Sequence, residues 1–72
     1  MELDTRGMNC PLPILKAKKA MTQLEIGATL KILATDPGSV EDFSAFCRTG
    51  GHALVESTEA EGIFTYVLKK GT

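Results

Sequence analysis

The sequence predicts a single α+β domain, a two-layer sandwich in which two helices lie on one face of a β-sheet. Three observations lead to this prediction. The chain has 72 residues, which is the length of one small domain. Its apolar residues alternate between strand-like and helical spacing in the order βαβαββ. Strand–helix–strand crossovers are right-handed, which places both helices on the same side of the sheet.

The first half of the chain is predicted to form a strand, a helix and a second strand. The first strand spans residues 2–5 and leads into a loop at residues 6–9. A helix is predicted from Pro11 to about Leu24, and the second strand at residues 29–35. The apolar face of this helix is expected to comprise Leu12, Ile14, Leu15, Ala17, Ala20, Met21 and Leu24.

Residues 36–39, Asp-Pro-Gly-Ser, predict a turn before a second helix. Ser39 and Asp42 have the spacing of a capping box, in which a serine at the helix start bonds the backbone three residues later. The helix is predicted to end at Gly50 and Gly51. Its apolar face is expected to comprise Val40, Phe43, Phe46 and Cys47.

Two strands at residues 52–58 and 63–69 are predicted to form a hairpin around a four-residue turn at residues 59–62. With both helices on one side, the other side of the sheet should be open. Polar strand residues such as Lys31 and Glu56 are expected on that open face.

Charge and composition restrict the possible functions. The net charge is −1, and it divides into +2 over residues 1–24 and −3 over the remainder. A general nucleic-acid binder is normally basic, so direct nucleic-acid binding is not expected. The start of the chain lacks the basic and apolar regions of a signal peptide, and no apolar run approaches the roughly 18 residues of a membrane span. A reducing, cytoplasmic location is therefore expected.

The segment Cys10-Pro11-Leu12-Pro13 is the strongest candidate for chemistry. Cys10 precedes a helix N-terminus, where free N–H groups and the helix dipole favour a thiolate. Pro11 and Pro13 fit a first helical turn, where their missing N–H groups cost no helical hydrogen bond. Because Leu12 precedes a proline, which disfavours helical geometry, both Pro11 and Pro13 remain possible helix starts. A buried, inert Cys10 is the alternative.

Other polar residues have simpler explanations beside a functional one. Cys47 is expected in the core, with a resolving thiol for Cys10 as the alternative. Asp36 is expected to form the turn, although the parallel topology would place it near Cys10 and so keeps a catalytic acid open. His52 is expected to be a polar edge residue, with a general base as the alternative, and no metal site is predicted. The lysines of the first helix, Lys16, Lys18 and Lys19, form either a solvated face or a docking site for an acidic partner protein.

Several motifs in order along the chain resemble the TusA/SirA family of small sulfur-carrier proteins. They are the D-x-R-G lead-in at Asp4, Arg6 and Gly7, the CPxP motif at Cys10–Pro13, the T-D-P loop at 35–37 and the F-C…G-H stretch that ends at His52. The resemblance covers nearly all of residues 1–72. It implies a βαβαββ sandwich with a four-stranded mixed sheet.

The resemblance also implies a function and a set of site residues. The family cysteine that matches Cys10 receives sulfane sulfur as a persulfide from a cysteine desulfurase or a rhodanese-like donor and passes it to an acceptor protein. Family members serve tRNA 2-thiouridine synthesis, molybdenum cofactor formation or sulfur oxidation. Arg6, Gly7, Pro11, Pro13 and Asp36 are the expected supporting residues. No resident cofactor is expected, and such a carrier is expected to be monomeric.

Sulfur transfer through Cys10 is thus the leading hypothesis, and two others stay open. A thiol redox protein would pair Cys10 with Cys47, which requires their Cα atoms within about 7 Å. A regulatory or RNA-binding module would need neither thiol and would bind its target in a salt-sensitive manner. Its weakness is the near-neutral net charge.

Overall fold

The computed structural model describes residues 1–9 and 12–72; Cys10 and Pro11 lie outside the described residues. In the described part the chain forms two helices and four strands in the predicted order. They are β1 (Glu2–Thr5), α1 (Leu12–Met21), β2 (Thr29–Ala34), α2 (Ser39–Gly50), β3 (Ala53–Ala60) and β4 (Ile63–Lys69).

The strands form one mixed sheet in the order β1-β2-β4-β3, which confirms the predicted fold class. β1 and β2 are parallel, with Thr5 opposite Ala34 at the end of the pairing. β4 is antiparallel to both of its neighbours. A parallel pair needs a long crossover connection, and α1 supplies it. The carboxyl ends of β1 and β2 consequently lie at the same edge of the sheet.

The core lies between the helices and the sheet. Alternate residues of β2 and β4 point into it, because side chains along a strand alternate between the two faces. The buried apolar residues are Ala17, Ala20, Met21, Leu30, Ile32, Ala34, Phe43, Cys47, Tyr66 and Leu68. On the opposite face Lys31 and Glu56 are exposed, as predicted.

Helix α1 differs from the prediction in its bounds and in its buried face. It begins at Leu12, one residue before Pro13, and ends at Met21 rather than Leu24, where i→i+3 hydrogen bonds tighten the chain. Leu12 and Leu15, expected in the core, are 50% and 55% exposed. The buried residues Pro13, Ala17, Ala20 and Met21 define the face that packs on the sheet. Leu15 lies on the opposite side of the helix from this face because successive residues are 100° apart.

Helix α2 is not started by a capping box. Gly38 occupies the N-cap position and makes no side-chain cap hydrogen bond. Ser39 is the first helical residue, and its buried hydroxyl hydrogen-bonds Tyr66 instead of the helix backbone. The predicted end of the helix is confirmed: Gly51 has a φ of 75°, in the left-handed region that glycine adopts at helix C-termini.

The hairpin has a tighter turn than predicted. β3 starts at Ala53 rather than His52 and continues to Ala60, which pairs with Ile63. Only Glu61 and Gly62 remain in the turn, with φ values of 53° and 79°. Two consecutive residues with positive φ characterise the type I′ turn, whose twist matches that of the flanking strands. The predicted four-residue turn is therefore wrong.

Candidate functional site

Two loops meet at the edge of the sheet where β1 and β2 end. The first follows β1 and leads toward Cys10, and the second connects β2 to α2. The Gly7 N–H donates a hydrogen bond to Thr35 Oγ1 over 2.8 Å, across 28 residues of sequence. This contact agrees with the prediction that the parallel strands bring the two loops to one edge. The predicted second strand extended to residue 35, whereas β2 ends at Ala34 and leaves the Thr35 side chain for the loop.

The loop after β1 turns sharply as soon as the strand ends. The Met8 N–H donates to the Thr5 carbonyl at 3.1 Å, and Gly7 has a φ of 81°. A side chain added at Gly7 would meet no heavy atom within 4 Å, so space does not demand glycine here. The positive φ does, because residues with a Cβ rarely adopt it. Thr5 itself is buried, and its hydroxyl donates to the Leu33 carbonyl at 2.6 Å.

Arg6 folds back onto Asp4. Its Nε and Nη2 donate to the two carboxylate oxygens at 2.9 and 2.8 Å, and its backbone N–H donates to Oδ1 at 3.0 Å. These hydrogen bonds lower the pKa of Asp4 to about 2, because they favour the ionised carboxylate. Asp4 in turn raises the pKa of Arg6. The positive charge of Arg6 is thus paired within the D-x-R-G lead-in.

Cys10 and Pro11, the predicted nucleophile and its neighbour, lie outside the described residues. The residues on either side are linked, since the Leu12 N–H donates to the Asn9 carbonyl at 2.9 Å. Pro13 is buried in the first turn of α1, which carries no acidic side chain. The first turn of a helix favours a nearby anion through the helix dipole. The described start of α1 therefore suits a thiolate or a persulfide.

Asp36 lies in the loop between β2 and α2, immediately after Thr35, and is half-buried. Its Oδ1 accepts a hydrogen bond from the Gly38 N–H at 3.1 Å, and its carbonyl accepts one from the Ser39 N–H at 2.9 Å. These bonds give Asp36 the turn-forming role that the sequence predicted.

Cys47 belongs to the core, as predicted. It is 4% exposed, and burial raises the pKa of its thiol. It lies eight residues after the start of α2, a rise of about 12 Å along the helix. Cys10, the other member of the hypothesised redox pair, lies outside the described residues, so pairing of the two thiols stays a prediction.

The contacts of His52 hold the end of the chain and the end of helix α2 together. Its Nδ1 accepts a hydrogen bond from the Gly71 N–H at 3.2 Å, and its ring lies 5.6 Å from the ring of Phe46. Within residues 1–9 and 12–72, no three His, Cys, Asp or Glu side chains are grouped so that they could hold a metal ion.

The solvent face of α1 is both apolar and basic. Leu12 and Leu15 are each at least half exposed. The basic residues of this helix are Lys16, Lys18 and Lys19. The lysines are exposed, which is expected both of a solvated face and of a docking site for an acidic partner protein. The exposed leucines add apolar area to this face.

Two long-range contacts in the described part of the chain were not anticipated from the sequence. The Gly7–Thr35 hydrogen bond and the Ser39–Tyr66 hydrogen bond join residues 28 and 27 positions apart. The first could have been inferred from the β1–β2 register, since Thr35 follows the last paired residue of β2. No local signal points to the second, because Ser39 also matched a capping motif.

Comparison with known proteins places this arrangement in a family. The family model described as sulfurtransferase TusA matches residues 1–70. The sulfur carrier protein TusA of Allochromatium vinosum is 52% identical over 69 residues, which cover 96% of this chain and 91% of that protein. The crystal structure of a SirA-like protein from Desulfitobacterium hafniense superposes with a TM-score of 0.86 at 27% identity, with 100% of both chains covered. Among the described residues, no helix has the length and apolar character needed to cross a membrane. Because the family model matches residues 1–70 and a TusA protein is 52% identical over 96% of the chain, the chain belongs to the TusA family of sulfurtransferases.

Proposed function

We propose that this protein is a sulfur carrier that holds sulfane sulfur as a persulfide on Cys10. The observation that carries the proposal is the family match over residues 1–70, which includes Cys10 within its CPxP motif. The relative from Allochromatium vinosum is named a sulfur carrier protein. The start of α1 at Leu12 supports the role, because a persulfide is an anion at neutral pH and a helix N-terminus stabilises anions.

Loading is a transfer between two sulfur atoms without net oxidation. The Cys10 thiolate attacks the outer sulfur of a persulfide on the donor protein and forms a new S–S bond. The S–S bond of the donor breaks, and the donor cysteine leaves as a thiolate. The charge is conserved, since one thiolate is consumed and another is released. The second transfer repeats this chemistry, with a thiolate of the acceptor protein attacking the outer sulfur on Cys10.

The partners are then a sulfur donor, either a cysteine desulfurase or a rhodanese-like protein, and a downstream acceptor protein. The acceptor belongs to tRNA thiolation, molybdenum cofactor formation or sulfur oxidation, as in the family. The persulfide is the cargo, and the carrier uses no resident cofactor. The carrier acts in the cytoplasm. It is a monomer, and size-exclusion chromatography of the purified chain checks this oligomeric state.

Persulfide formation can be measured directly by intact mass. The protein is incubated with a purified cysteine desulfurase and cysteine, and a mass increase of one sulfur atom is expected. Cys10→Ser should abolish the increase, whereas Cys47→Ser should retain it. If Cys10→Ser still gains sulfur while Cys47→Ser does not, the assignment to Cys10 is wrong. If neither the wild type nor Cys47→Ser gains sulfur from a desulfurase or from a rhodanese, sulfur carriage itself is contradicted.

A further inference from the structure

The side chain of Thr35 connects the loop that precedes Cys10 to the neighbouring loop of the sheet edge. Thr35 is half-buried and follows β2 directly. Its Oγ1 accepts the hydrogen bond of the Gly7 N–H at 2.8 Å. Gly7 lies three residues before Cys10. The contact therefore acts on the short loop that leads to the proposed sulfur-bearing residue.

The position of Gly7 explains why a side chain is needed there. Backbone pairing between β1 and β2 ends at Thr5 and Ala34. Gly7 lies two residues beyond this pair, where the chain has already turned and the backbone of β2 no longer continues the ladder. The hydroxyl of Thr35 supplies the acceptor that the ladder no longer provides. In this way it extends the connection between the two strands into their loops.

The other hydrogen bonds in the described part of this loop are local. The backbone N–H of Arg6 donates to the Asp4 carboxylate, and that of Met8 donates to the Thr5 carbonyl. Both bonds shape the loop without fixing it to another element. The bond to Thr35 differs, since its acceptor belongs to the segment between β2 and α2. It is the contact of this described segment that sets the loop against the rest of the sheet edge.

We infer that Thr35 is a positioning residue for sulfur transfer, because its hydroxyl joins the loop at residues 6–9, which leads to Cys10, to the β2–α2 loop. The inference rests on the proposed function, which makes Cys10 the reacting residue. The attacking thiolate must approach the sulfane sulfur along the S–S axis of the donor persulfide. Misplacement of a reacting group by about 1 Å can slow a reaction by about 100-fold.

The test compares variants that lose or keep the acceptor oxygen. Thr35→Val retains the shape of the side chain but removes the hydroxyl, and Thr35→Ser keeps the hydroxyl. Thr49→Val is the matched control, because the Thr49 hydroxyl is exposed and donates to the Ala45 carbonyl within α2. Three quantities are measured: the rate of persulfide loading by a purified cysteine desulfurase with cysteine, the pH profile of Cys10 alkylation by iodoacetamide, and the thermal unfolding midpoint.

Thr35→Val is expected to slow loading about 10-fold or more and to shift the alkylation profile of Cys10. In Thr35→Ser the loading rate and the alkylation profile should stay close to those of the wild type. Thr49→Val should change neither quantity. A loss of stability alone would not move the alkylation profile of the folded protein. If Thr35→Val loads sulfur and is alkylated as the wild type is, the positioning role is overturned.

The outcome also separates this inference from the proposed function. If the wild type gains no sulfur, sulfur carriage fails, while the alkylation profiles still decide whether Thr35 controls Cys10. If the wild type is loaded but the Thr35 variants match it, only the positioning role fails. Should Thr35→Val not fold, Thr35→Ala removes the same acceptor with less bulk facing Gly7. A wild-type alkylation profile in Thr35→Ala then overturns the inference.

Discussion

The hydroxyl oxygens of Ser39 and Tyr66 lie 2.7 Å apart in the core and share a hydrogen bond. Both residues are almost completely buried. The bond connects the first residue of α2 to the central strand β4. Burial also raises the pKa of Tyr66, so the phenol stays neutral and can serve as a donor or as an acceptor.

Removal of either hydroxyl should destabilise the protein, because the remaining one loses its partner in the core. Tyr66→Phe and Ser39→Ala are each expected to cost about 1–3 kcal/mol in the free energy of unfolding. The double variant should lose less than the sum of the two, since it leaves neither hydroxyl unpaired. Urea denaturation of the wild type, the two single variants and the double variant measures their free energies of unfolding. Strict additivity of the two losses would show that the hydrogen bond contributes no coupling.

The ion pair of Asp4 and Arg6 predicts an unusual acid titration. Asp4 should titrate near pH 2, and Arg6→Gln should move its pKa up toward the ordinary value of 3.8. Because the folded-state pKa is lowered, the associated stability is present above the unfolded-state pKa and is lost as the pH falls toward 2. NMR titration of the Asp4 carboxyl measures the midpoint. Lys19→Gln, which removes a cation from α1, should leave it in place; an unchanged midpoint in Arg6→Gln would refute the pairing.

The type I′ turn offers a stabilising substitution. Glu61 has a φ of 53°, in the left-handed region that costs most L-residues about 1–2 kcal/mol. Asparagine tolerates this conformation better, so Glu61→Asn should raise the thermal unfolding midpoint. Gly62→Ala should lower it, since Gly62 has a φ of 79°.

Glu59→Asn is a suitable control for the turn, because Glu59 lies within β3 and pairs with Phe64. It changes the same side chain at a strand position with no positive φ. A gain in stability from Glu59→Asn equal to that from Glu61→Asn would attribute the effect to charge rather than to backbone conformation.

The buried thiol of Cys47 should be protected in the folded protein. Burial raises its pKa above the ordinary value of 9.0, so it remains protonated at neutral pH and reacts slowly with iodoacetamide. Since the folded-state pKa is raised, the associated stability is present below the unfolded-state pKa and is lost as the pH rises above it. Alkylation of Cys10→Ser, with and without urea, isolates this thiol. Rapid modification without urea would contradict its placement in the core.

The helices and strands were predictable from the sequence because the spacing of apolar residues follows the side of each element that is buried. The bounds of β4, Ile63–Lys69, agree with the prediction, since a run of β-branched and aromatic residues lies between two clear chain breaks. The exposure of Leu12 and Leu15 was not predictable in the same way. α1 has apolar residues on more than one side, and only the tertiary packing selects Pro13, Ala17 and Ala20 for the sheet.

Much of the candidate site depends on contacts between distant parts of the chain. Topology predicted that the loop before Cys10 and the loop at Asp36 share an edge, and the bond from Gly7 to Thr35 shows them in contact. The pairing of Arg6 with Asp4 was not predicted, because the sequence fixes neither the side-chain direction nor the bend of the loop. The roles of Cys10 and Pro11 stay predictions from the motif.

The strand order has a consequence for how the chain assembles. β3 pairs with β4 alone, while β4 also pairs with β2. Strand β4 is therefore the one that joins β3 to the β1–β2 pair. Until residues 63–69 have left the ribosome, β3 has no neighbouring strand, and Leu30 and Ile32 lack their cross-strand partners Leu68 and Tyr66. Folding of this domain is thus expected to be completed after synthesis of β4, rather than progressively from the N-terminus.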